Sequence, residues 1–127
     1  MIRTLLIVAL GGGIGSALRF MVSKIVTENM NSTFPYPTFA VNIGGCLLIG
    51  LFYGLSSHGN LGGNSVRMLL TTGLCGGFTT FSTFCNENLA LLRGGNIIAA
   101  ALYAGLSIVL GFMAVAAGYW IAEHAIE

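Results

Sequence analysis

Residues 73–84 read Gly73-Leu74-Cys75-Gly76-Gly77-Phe78-Thr79-Thr80-Phe81-Ser82-Thr83-Phe84, a glycine pair followed by four hydroxyl side chains among phenylalanines. Phe81 and Phe84 are three apart and so share a helical face, with Thr80 and Thr83 just before them. A benzene ring is negative on its face and positive at its edge. Ring edges turned into a narrow path suit an anion, and ring faces suit a cation. Packing or lipid contact is the plainer use of such a stripe. Its place directly after Gly76-Gly77, with hydroxyls around it, sets this one apart.

Other polar groups stand in apolar surroundings. Thr38 and Asn42 are four apart on one helical face, and the Asn42 amide offers two N–H donors. A helix-to-helix hydrogen bond accounts for Asn42, and so does a place on a pathway. Tyr103 and Ser107 repeat the spacing, although a serine in a membrane helix commonly bonds back to its own backbone. Arg19 either snorkels from near a helix end to the headgroups or turns inward at a pore mouth, raising the potential for an anion. Glu87 ends the phenylalanine face near a helix end, where it can simply be wet. Rings of carboxylates mark cation channels, and none can be assembled here. His58 and His124 are far apart in the chain, and no zinc site, phosphate loop or nucleophile with its base is visible. These features speak against an enzyme.

The elements that must position these groups are membrane spans. Of the 127 residues, 55% are hydrophobic and 7% charged, and the mean hydropathy is +0.87. A soluble domain carries about a quarter charged residues. The net charge of +1 offers nucleic acid no basic patch. A bilayer needs roughly 20 apolar residues of helix. Four segments qualify, residues 4–26, 37–57, 66–92 and 96–122. They predict an all-α membrane protein with a single domain over residues 1–127. Short polar loops separate the spans, Pro37 can open the second helix, and Arg93-Gly94-Gly95-Asn96 makes a tight turn. The third span is predicted to break near Gly76-Gly77. Backbone that leaves the helix at this depth is tolerated only where protein or a wet cavity satisfies it.

The first ten residues imitate a secretory leader, but the glycines and Arg19 that follow give no clean cleavage site. The triplet Asn31-Ser32-Thr33 fits a glycosylation acceptor by chance. Cys46, Cys75 and Cys85 are odd in number and read as small buried hydrophobes. Arg3 and Arg67 fall on one side of the four spans, Lys24 and Arg93 on the other. Such a balance gives little instruction about orientation, so both orientations are expected. Gly11 and Gly15, Gly50 and Gly54, and Gly73 and Gly77 are each four apart, the spacing that lets membrane helices approach. Four helices of this length enclose little volume, which favours a dimer if a pathway exists.

The segments Gly11-Gly12-Gly13-Ile14-Gly15 with Arg19, Pro37-Thr38-Phe39-Ala40-Val41-Asn42-Ile43-Gly44-Gly45, and residues 73–84 resemble the Fluc (CrcB) family of fluoride channels. The resemblance runs in order through three of the four spans. It implies an antiparallel, dual-topology homodimer in the bacterial cytoplasmic membrane, with two fluoride pores. It also implies a structural sodium ion at the dimer centre, on the main-chain carbonyls of Gly76 and Thr79. Phe81 and Phe84 then correspond to the pore phenylalanines and Asn42 to the pore amide. Thr38, Thr83, Tyr103 and Ser107 fall where pore or near-pore polar groups are expected. Phe78 stands where some relatives carry another apolar residue, which leaves the main chain of the motif intact. Two other readings compete: a small proton-coupled multidrug transporter, which needs a carboxylate in the membrane, and a membrane scaffold that transports nothing.

Overall fold

The computed structural model describes residues 1–29, 34–57 and 63–125, and every regular element among them is helical. His58, the Asn31-Ser32-Thr33 triplet and residues 59–62 of the second loop lie outside the described residues. Helices α1 (Ile2–Asn29) and α2 (Tyr36–Ser57) match the first two predicted spans in position. The third predicted span is divided into α3 (Asn64–Met68), a π-helical run Leu69–Cys75, α4 (Gly76–Phe78) and α5 (Ser82–Arg93). Helix α6 (Ile97–Ala125) completes the chain. By length and composition α1, α2 and α6 can each cross a membrane, whereas the third span is assembled from shorter pieces.

The break falls later than the glycine pair suggests. Gly76 is helical at φ −63°, ψ −38°, and Gly77 continues the helix. The backbone turns extended at Thr79, with φ −85° and ψ 161°, and becomes helical again at Ser82. Gly77 serves close approach instead: a Cβ there would collide with the main chain of Gly12 on α1. Gly11 and Gly15 are used likewise, since a methyl at either would strike the backbone around Leu69, Gly73 and Leu74.

Where the third span breaks, it changes partner. The rod formed by α3, the π-helical run and α4 packs along α1, whereas α5 packs on α6. Helix α2 touches both halves and makes its largest contact with α6. Gly50 and Gly118 make that contact close, because each faces main chain of the opposite helix. Gly95, at φ +81°, turns the chain from α5 into α6.

Few side chains are buried, chiefly Val41, Cys75, Leu91, Ala100, Tyr103 and Ala122, with Thr38 and Thr71. Large apolar side chains such as Phe20, Ile98 and Phe112 lie on the outside. Lipid is as apolar as leucine, so these faces need no protein cover. The thiols differ from expectation. Cys75 is buried and Cys46 half-buried, but Cys85 is exposed on α5, and all three are free. Near the end of α6, His124 Nδ1 lies 2.9 Å from the Trp120 carbonyl oxygen and its ring stacks on that indole.

Candidate functional site at the helix break

The break is held open from α2. The Asn42 amide donates from Nδ2 to the Thr80 carbonyl at 2.9 Å, and the Thr80 N–H donates to Asn42 Oδ1 at 2.8 Å. One side chain thus replaces the intrahelical partners of both main-chain polar groups of Thr80. One turn further along α2, Gly45 leaves room for the Thr79 methyl. The helical half ends with both the N–H and the hydroxyl of Thr79 donating to the Cys75 carbonyl.

Two carbonyls at the break have lost their ordinary donors. In an α-helix Gly76 would accept from Thr80 and Thr79 from Thr83. The Thr80 N–H goes to Asn42, and the Thr83 N–H goes to the Thr80 hydroxyl at 3.4 Å. Unwound main-chain carbonyls at the C-terminal end of a half-helix suit a small alkali cation. Two neutral oxygens from one chain do not complete a coordination shell. Among the described residues no group of three or more His, Cys, Asp or Glu could hold a metal instead.

A cavity of about 370 Å³ opens beside the break, and Asn42, Gly76, Thr79, Phe81, Phe84 and Ser107 all line it. The Phe81 and Phe84 ring centroids are 5.9 Å apart with planes at 33°. Phe81 is 75% exposed, so its ring is bare on the single chain. Ser107 does not bond back to its helix: its Oγ is buried with no hydrogen-bond partner among the described residues. A buried orphan hydroxyl costs free energy, which suits a group that receives a ligand. Phe81, at the N-cap of α5, has no side chain able to cap it, and the Thr80 hydroxyl takes the Thr83 N–H at 3.4 Å, so the positive dipole end of α5 faces the break.

A second cavity, of about 270 Å³, lies on the α1 side and is lined by Ser16, Arg19, Ser23, Thr38, Thr80 and Thr83 among others. Arg19 therefore turns inward, and its Nε is buried with no hydrogen-bond partner among the described residues. Thr80 is common to both cavities. Although Thr38 and Asn42 are one turn apart, Thr38 faces the arginine cavity and Asn42 the phenylalanine cavity.

Tyr103 lines neither cavity. It is fully buried behind Phe84, with ring centroids 4.9 Å apart. Its hydroxyl donates to Glu87 Oε1 at 3.0 Å.

The chain matches the family described as CrcB-like protein, Camphor Resistance (CrcB), over residues 6–119. The chain belongs to the CrcB family. It is 48% identical over 122 residues to the Flavobacterium psychrophilum protein named fluoride-specific ion channel FluC, covering 96% of this chain and 98% of that one. A protein of the same name from Phocaeicola vulgatus is 48% identical over 121 residues, 95% of this chain and 99% of its own. Another, from Methylobacillus flagellatus, is 46% identical over 123 residues, with 96% of each chain covered. The family is one of ion channels, and this CrcB protein is not an enzyme. It is a multi-pass protein of the bacterial inner membrane.

In this CrcB chain the break gathers Asn42, Phe81, Phe84 and Ser107 with Gly76 and Thr79, and it sets Thr38, Thr83 and Arg19 across from them. Tyr103 stands behind the first group. The Glu87–Tyr103 bond was not anticipated from sequence. The two residues lie eight positions either side of Gly95, so an antiparallel hairpin through that glycine would have placed them level. No sequence signal marks the Thr80 peptide as the partner of Asn42.

Proposed function

We propose that this CrcB protein is a fluoride-selective channel that lets fluoride leave the cytoplasm through the cavity beside Thr79–Phe81. The observation that carries this reading is the convergence of an amide donor, an orphan hydroxyl and two phenylalanines on one cavity free of carboxylates. Fluoride is small and strongly hydrated, so a path must replace its water with close donors. Asn42 commits one amide hydrogen to Thr80 and keeps a second. Ser107 offers its hydroxyl, and the rings of Phe81 and Phe84 offer positive edges. Arg19 and the threonines of the second cavity draw the anion to the mouth. A proton-coupled drug exporter would need a carboxylate in this path. Export follows because hydrogen fluoride, a weak acid, enters uncharged from acidic surroundings and dissociates in the less acidic cytoplasm.

The functional unit in this proposal is an antiparallel homodimer of dual topology with two pores. Balanced charges motivate it, and the exposed Phe81 ring gives a second copy something to cover. A two-fold axis beside the break would bring a second Gly76 and Thr79 to the first pair. The four carbonyls together would hold one sodium ion, whose charge would offset the negative ends of the two half-helices.

Efflux from liposomes carrying the purified protein tests the central claim. A fluoride electrode should record rapid release, and chloride should stay inside. Absence of fluoride efflux, or equal release of chloride, would refute it. Cysteines introduced at Gly63 on a background without native thiols should label from both membrane faces, and labelling from one face alone would exclude dual topology. Bound sodium should be measurable with a radioisotope on the detergent-solubilised dimer.

A further inference from the structure

We propose that Phe34, on the segment between α1 and α2, is a positioning residue that sets the ring of Tyr103 and through it the ring of Phe84. The proposal rests on the reading of the Phe84 cavity as the fluoride path. Tyr103 is fully buried, and its hydroxyl is fixed on Glu87 at 3.0 Å. A hydrogen bond at the tip of a tyrosine leaves one freedom, rotation of the ring about its long axis. Neighbouring rings must fix that rotation, and three pack on Tyr103, with Phe39 the farthest at 6.5 Å. Phe84 bears on Tyr103 with centroids 4.9 Å apart at 57°. Phe34 bears on it edge-on, at 5.3 Å and 75°. A twist of Tyr103 therefore displaces Phe84, which lines the cavity.

The segment is built to hold Phe34 still. The two prolines of the chain, Pro35 and Pro37, follow it closely. Proline fixes its own φ and pushes the preceding residue to extended backbone. The Phe34 carbonyl accepts from the Tyr36 N–H at 2.8 Å, and the Pro35 carbonyl accepts from the Phe39 N–H at 3.1 Å, tying the segment to the start of α2. Two further rings, Tyr36 at 4.8 Å and Phe39 at 5.9 Å, pack on Phe34. Phe34 lines neither of these two cavities, and its contact with the Phe84 cavity runs through Tyr103.

Two variants and a cycle test this. Phe34→Leu keeps apolar bulk and removes the ring, whereas Phe34→Tyr keeps the ring. Misplacing a functional group by an ångström can cost about a hundredfold in rate. Fluoride flux per folded protein should fall about tenfold or more in Phe34→Leu and return to within about twofold in Phe34→Tyr, if ring position is what matters. In a Tyr103→Leu background, Phe34→Leu should cost nothing further, because its influence passes through Tyr103. With 3-fluorotyrosine incorporated, the Tyr103 fluorine resonance should shift or broaden in Phe34→Leu. Unchanged flux per folded protein in Phe34→Leu would make Phe34 mere packing and overturn the proposal, as would independent costs in the cycle. An immobile Tyr103 resonance would overturn it too. A parent protein that passes no fluoride would sink the channel reading instead, and the resonance would still judge the ring contact.

Discussion

Asn42 and Thr80, 38 residues apart, exchange two hydrogen bonds across the place where the third span leaves its helix. The side chain of one residue does for the N–H and C=O of Thr80 what the preceding and following helical turns would otherwise do. In a bilayer there is no water to take over that task, so the break and the asparagine depend on each other.

Asn42→Ala should therefore damage both fold and transport. It strands the Thr80 N–H and C=O, at about 1–3 kcal/mol for each buried group left unpaired. Thermal unfolding in detergent should show the loss of stability. Fluoride flux per folded protein should also fall, because an amide donor leaves the cavity.

Phe81→Ile and Phe84→Ile should separate path from packing. Phe81 is largely exposed on the single chain, so its replacement should leave the protomer's own packing intact. Phe84→Ile loses the contact with Tyr103, worth about 1 kcal/mol. Flux normalised to folded protein should drop roughly a hundredfold in each, the scale of removing one oriented electrostatic group. Parental flux in both would mean that the stripe only packs.

Ser107→Ala should divide stability from function. The hydroxyl is buried with no partner among the described residues, so removing it should be neutral or stabilise by up to about 1 kcal/mol. Fluoride flux should nonetheless fall about tenfold, the value of one hydrogen bond of ordinary strength. A variant less stable than the parent but equally conductive would contradict this.

Gly15→Ala and Gly13→Ala form a paired test of how α1 meets the broken span. A methyl at Gly15 strikes the Leu74 main chain, and overpacking of this kind costs about 1–3 kcal/mol. Gly13 has open space around it, so alanine there should raise helix stability by about 0.5–1 kcal/mol. Melting temperatures of the two variants should move in opposite directions.

The all-helical class, the long apolar spans and the unusual run of glycines, hydroxyls and phenylalanines at residues 73–84 were legible in the sequence. Each follows from local composition or from residue types a few positions apart, which periodicity and hydropathy can read. The position of the break was not. Glycine marks where a helix is weak, and Gly76-Gly77 was the natural place to expect it. In the tertiary structure Gly77 serves contact with α1 and the break lies at Thr79, because a side chain on α2 is there to receive the main-chain groups of Thr80. Arg19 could snorkel or turn inward, and Ser107 could bond to its own helix or not. Both were decided by which helix lay opposite. A hydrogen bond spanning 38 residues leaves no trace in local propensity, yet at membrane depth it outweighs that propensity, since an unpaired peptide group has nowhere else to turn.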